Sequence, residues 1–124
     1  MTFFTKPSRE IGGIRIMDIK ELQIASHALA VSKGWWEEDR NVGELLALVH
    51  SEVSEALEEW RIDEDLAVIR MEGDKPVGFP VELADTLIRI CDLAENAGID
   101  LNAALKIKMA YNATRPWRHG GKRA

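Results

Sequence analysis

Four acidic side chains stand in two pairs of matching spacing, Glu52 with Glu55 and Glu82 with Asp85. Three residues is close to one helical turn, so each pair projects from one face as a two-carboxylate claw. Two such helices packed side by side would point four hard oxygen donors at one place. Carboxylates that close repel one another unless a cation lies between them, and Mg²⁺ takes oxygen ligands. The pattern predicts a magnesium site made for a phosphate-bearing substrate, with Mn²⁺ able to substitute.

Acids on helices usually mark a wet face, so the second pair carries more weight than the first. Glu82 and Asp85 sit in a segment dominated by Val81, Leu83, Ala84, Leu87, Ile88, Ile90, Cys91 and Leu93, and Arg89 and Asp92 continue their stripe. Charge on a central, apolar helix must find partners, because burying it unpaired is costly. Either Arg89 neutralises the stripe as a structural network, or a metal does. Di-iron bundles use Glu-x-x-His pairs, but Ile24, Ala47 and Pro116 stand three residues before His27, His50 and His119. With no Cys or His cluster, structural zinc is excluded as well. His50, beside the first claw, is expected to be a packed or surface histidine.

Toward the C-terminus, Lys108 and Asn112 are four apart and Arg115 follows before Pro116. A lysine, an amide and an arginine fork converging at a helix end could grip phosphate oxygens. Trp35 and Trp36 fall between the first two helices and Trp60 near the end of the second. Trp36 and Trp60 are candidates to stack a nucleobase, against the plainer expectation that they pack a helix junction or subunit contact.

The elements that must position these groups are helices. Asp18 with Glu21, and Asn41 with Glu44, have capping-box spacing and open the first two. Leu22, Ala25 and Leu29 are expected inward on the first helix, which stops near Gly34. The second runs to about Ile62 with a 3.6 period through Val42, Leu45, Leu46, Val49, Val53, Ala56, Leu57 and Trp60. Residues 63 to 78 are polar with a turn at Gly73-Asp74-Lys75-Pro76, and a short helical piece is expected around Leu66 to Met71. Pro80 suits a helix start; that third, central helix ends at Gly98, and Asp100 caps a fourth that ends before Pro116. No strand-like alternation competes, so the fold class is all-α, a four-helix bundle. Its parts are an extended or mobile arm (1–16), a helical domain (17–114) and a basic tail (115–124).

The chain has 124 residues, 46% hydrophobic and 30% charged, enough for one folded domain. Six Lys/Arg lie between Lys106 and Ala124 with no acid, leaving ten basic against twenty-one acidic residues elsewhere. Such an acidic body argues against a nucleic acid polymer as partner, while the basic end suits a small polyphosphate. No apolar run suits a membrane span, and the first residues lack the order of a signal peptide. A lone Cys91, expected as a buried small hydrophobe, points to a reducing cytoplasm.

The runs HSEVSEALEEWR (His50 to Arg61), KPVGFPVELADTLIRICDLA (Lys75 to Ala94) and KMAYNATRPWRHGGK (Lys108 to Lys122) together resemble MazG-like nucleotide pyrophosphohydrolases. These belong to the all-α NTP pyrophosphatase superfamily, with dimeric dUTPases and phosphoribosyl-ATP pyrophosphohydrolases. The resemblance covers residues 18 to 122, with 26 residues between Glu55 and Glu82 as the family's variable spacer. It implies Glu52, Glu55, Glu82 and Asp85 as Mg²⁺ ligands and Lys108, Asn112 and Arg115 as triphosphate contacts. Many members double the first acid where this chain has Ser51, and Glu59 is the candidate to supply a fifth carboxylate instead. The implied reaction is (d)NTP + H₂O → (d)NMP + PPi, with Glu55 or Glu52 as general base. It implies a house-cleaning role on deoxynucleotides and a homodimer or homotetramer that completes core and site. The alternatives are a phosphoribosyl-ATP or dUTP pyrophosphohydrolase, or a non-catalytic helical module that binds nucleotides or a partner protein.

Overall fold

The computed structural model describes residues 17–118 and, ahead of them, two short paired strands, β1 (Glu10–Ile11) and β2 (Ile14–Arg15). Most of the expected N-terminal arm, and residues 119–124 of the basic tail, lie outside the described residues. Four helices follow: α1 (Ile19–Ser32), α2 (Val42–Ile62), α3 (Phe79–Asn96) and α4 (Leu101–Thr114). Helices therefore dominate, as an all-α fold requires. Asp18 and Asn41 cap as their spacing predicts, accepting from the N–H groups of Glu21 (2.8 Å) and Glu44 (3.3 Å). Asp100 does the same for Ala103 at 3.1 Å.

The segment before α3 differs from expectation. In place of a helical piece around Leu66 to Met71, a turn at Leu66-Ala67 leads into β3 (Arg70–Glu72), which pairs antiparallel with β4 (Lys75–Val77). Gly73 takes φ 62° while Asp74 keeps a negative φ, the pattern of a two-residue hairpin with glycine first. Arg70 ties this hairpin to α2 through a 2.7 Å ion pair with Glu59. Glu59 is thus engaged by Arg70 rather than offered to the acid site. Val77 is buried, and Gly78 follows with φ 133° as the residue before α3. A Cβ at Gly78 would lie 2.5 Å from the Val68 carbonyl oxygen, so only glycine lets the chain turn here.

α3 is central and packs against both α1 and α2, while α4 rests on α1. Gln23 makes the second junction. It is fully buried; its Nε2 donates to the Ile99 carbonyl at 2.7 Å, and its Oε1 accepts from the Leu101 N–H at 3.2 Å. One side chain thereby fixes the α3–α4 turn and satisfies an orphan donor at the start of α4.

The inward set on α1 is not Leu22, Ala25 and Leu29. Gln23 and Ser26 are buried, and Leu29 is 59% exposed. The cause is partnership: Gln23 and His27 have bonding partners on or beyond α3, and that polar stripe turns inward with Ser26. The buried apolar core is small, comprising Leu45, Ala56, Val77, Cys91 and Ala94. Val53, Leu57, Leu83, Leu87, Leu105 and Ile107 stay exposed. Cys91 is buried as expected, and burial pushes its thiol pKa up, away from thiolate chemistry.

Candidate metal and substrate site

Glu52 comes from the middle of α2, and Glu82 and Asp85 from the first two turns of α3. Each offers a carboxylate oxygen within 4.8 Å of the other two, and all three are half-buried. Glu55, the fourth acid of the sequence pattern, is exposed and stands outside this trio. Residues three apart on a helix differ by about 60° in direction, so the spacing does not oblige both acids of a pair to meet the seam: Glu82 and Asp85 do, and Glu55 does not. Glu52 faces it, where Arg89 Nε donates to Glu52 Oε1 at 2.7 Å. The guanidinium that the sequence offered as a rival to a metal is therefore part of the site, holding one oxygen of one acid.

The electrostatics follow from crowding. Burial, then a shared hydrogen bond with Glu52, then the charges of Glu52, Asp85 and Glu55 push the Glu82 carboxyl from 4.5 to about 7. Asp85 is also raised, by burial and by Glu52, with Arg89 and Lys75 pulling the other way. At neutral pH such a trio must keep a proton or take a cation. Three hard oxygens with no nitrogen or sulfur donor among them suit Mg²⁺ or Mn²⁺, so the donor set fits the metal that the sequence implied.

A cavity of about 310 Å³ opens beside the trio, within the range of small-ligand sites. Ser26, Leu29 and Ala30 of α1, with Lys33 just past its end, form one wall. Asp85, Ile88, Arg89 and Asp92 of α3 form the other, with Glu52 of α2 at the acid end. Trp35 and Arg40 of the α1–α2 loop also line it. The Arg40 guanidinium lies 5.6 Å from the ring centres of both Trp35 and Trp36, tying the loop together. Asp92 leaves the acid stripe and turns to α1. Its Oδ1 is 2.8 Å from His27 Nδ1 and accepts from the Trp36 indole N–H at 2.9 Å.

The other expected residues are placed less centrally. Trp36 is half-buried behind Asp92, edge-on to His27 at 5.5 Å between ring centres. Trp60 is 47% exposed and does not line the cavity. Lys108 and Asn112 are exposed on α4, and Arg115 caps its end. The Lys108 and Arg115 charges gather over the Tyr111 ring, at 4.9 and 5.7 Å. No α4 residue lines the cavity beside the acids. His50 is exposed, and the Ser51 hydroxyl is spent on the Leu48 carbonyl at 2.6 Å. Asp92 was visible in the sequence as part of the stripe of Glu82 and Asp85, but Ser26, Lys33 and Arg40 were not singled out, because nothing in their spacing distinguishes them from ordinary helix and loop polar groups.

A stretch of 38 residues is 45% identical to a dATP/dGTP diphosphohydrolase of Cyanophage S-2L, and covers 31% of this chain and 36% of that protein. No family model and no solved structure matches the chain. Among the described residues no helix is long and apolar enough to cross a membrane.

Proposed function

We propose that the chain is a divalent-cation-dependent nucleotide pyrophosphohydrolase of MazG-like type, converting (d)NTP and water to (d)NMP and PPi. The observation that carries this reading is the Glu52–Glu82–Asp85 trio at the end of a ligand-sized cavity. The short likeness to a dATP/dGTP diphosphohydrolase supports a nucleotide as substrate, and a house-cleaning role on deoxynucleotides follows the resemblance.

Glu52, Glu82 and Asp85 would hold Mg²⁺, or Mn²⁺ in its place. The bound cation would neutralise triphosphate charge and make the attacked phosphorus more electrophilic. Arg89 orients Glu52 through the 2.7 Å bond and softens repulsion within the trio. Glu55 is our choice of general base over Glu52, since it stands outside the trio and Glu52 is engaged by Arg89. Lys33 and Arg40, which line the cavity, supply positive charge within one chain.

Lys108, Asn112 and Arg115 remain the triphosphate contacts of this reading, delivered by a second copy of the chain. A homodimer or homotetramer also accounts for Leu105 (45% exposed), Ile107 (73%) and Met109 (65%) on a helix with no buried residue. The deciding experiment offers each dNTP, dUTP and phosphoribosyl-ATP with and without Mg²⁺ and resolves products by ion-exchange chromatography. Mg²⁺-dependent formation of dNMP and PPi is the expected result. Turnover of dUTP or phosphoribosyl-ATP alone would select a sister activity, and no turnover of any of them would reduce the chain to a binding module.

A further inference from the structure

Ser26 is 6% exposed, and its hydroxyl has no hydrogen-bond partner among the described residues. The hydroxyls of Ser32, Ser51, Thr86 and Thr114 discharge onto the preceding turn, on Leu29, Leu48, Glu82 and Tyr111, while that of Ser54 is on an exposed residue of α2. Ser26 breaks that habit in the wall of the cavity beside the acid trio. An unpaired buried hydroxyl is destabilising, so its partner is expected from outside the chain.

The helix pairing says which part of a nucleotide could supply that partner. α1 and α3 run antiparallel, with Lys20 against Glu95 and His27 against Asp92. Ser26, next to His27, therefore sits near the level of Asp92, seven residues along α3 from Asp85. At the helical rise that is about 10 Å from the acid end. A nucleotide with its phosphates at the acids spans this gap with its sugar, which leaves its base beside Ser26. Leu29, Ala30 and Ile88 between the two ends give apolar surface for the faces of a ring. Asp92, with one oxygen fixed by His27 and Trp36, adds an anchored acceptor at the same end.

Resting on the nucleotide reading above, we propose that Ser26 is a specificity-determining residue. Its hydroxyl hydrogen-bonds the nucleobase, at an end of the cavity where Asp92 favours bases carrying an exocyclic amino group. Adenine, cytosine and guanine carry one, and thymine presents carbonyl oxygens that a carboxylate repels.

The test compares wild type and Ser26→Ala on dATP, dCTP, dGTP and dTTP, measuring kcat/KM with Mg²⁺ and Tm without ligand. Wild type is expected to prefer an amino-bearing base to dTTP. The variant loses about ten-fold on that preferred nucleotide, chiefly through KM, the worth of one hydrogen bond. On dTTP it changes by less than about three-fold, because a thymine repelled by the Asp92 carboxylate is not seated against the hydroxyl. Its ligand-free Tm is equal or higher, because the hydroxyl has no internal partner to lose. An equal loss on all four nucleotides, or a lower Tm with unchanged preference, would overturn the proposal in favour of a structural hydroxyl. A wild type that prefers dTTP would overturn the part assigned to Asp92. The functional reading fails separately, if wild type neither hydrolyses any of the four nor binds them by calorimetry in Mg²⁺.

Discussion

Removing the charge of Glu82 tests the acid trio through stability, without relying on turnover. Its carboxyl titrates at about 7 in the folded chain against 4.5 for an unperturbed glutamate. Between those values the folded state holds a proton that the unfolded state has released, so stability falls as pH rises through this window. Above pH 7 the full penalty is present; below 4.5 it is absent. At full weight that difference corresponds to about 3 kcal/mol, and solvent access at this half-buried site screens it to about 1–2 kcal/mol. Urea denaturation in EDTA should show wild type losing about 1–2 kcal/mol between pH 5 and pH 8, and Glu82→Gln losing much less. Mg²⁺ at ten times its Kd should restore about 1.4 kcal/mol to wild type at pH 8. It should restore far less to Glu82→Gln, which should also be folded and inactive. A variant that follows the wild-type pH slope, or gains as much from Mg²⁺, would refute the reasoning about crowding.

Three further outcomes follow from the fold. Gly78→Ala should cost at least about 2 kcal/mol in urea denaturation, since its Cβ meets the Val68 carbonyl and its φ is positive; a neutral effect would mean that the β4–α3 turn is softer than its geometry. Gln23→Ala strands the Ile99 carbonyl and the Leu101 N–H and should cost about 2–3 kcal/mol, with faster amide exchange at the start of α4. Protection equal to wild type would show that α4 is held by something else. Ile107→Glu places a charge on the exposed face of α4 and should shift sedimentation from oligomer toward monomer; a wild type that sediments as a monomer would contradict the second-copy proposal.

Helix identity was legible because a side-chain cap stands at three of the four starts and Pro80 at that of α3. Asp18, Asn41 and Asp100 bond the N–H groups three residues on, and α1 and α2 end within two residues of their stop signals. The β3–β4 hairpin was not, because three-residue strands are too short to show alternation and Pro76 argues against a strand. Pairing Met71 with Pro76 costs little at an exposed edge, where Pro76 faces no buried neighbour. Of the four acids in the pattern the fold gathers three, since spacing gives a shared face and cannot say which of two acids meets the seam. Glu55 is the one outside. Burial on α1 was misread for a different reason: Gln23 and Ser26 look like solvent residues until the turn and cavity that face them are known.

The most direct measurement is an anomalous-difference map from crystals of the protein grown with Mn²⁺. The account predicts a strong peak within bonding distance of the Glu52, Glu82 and Asp85 carboxylates together. Ordered crystals with no peak there, or with manganese held only by other residues, would contradict it.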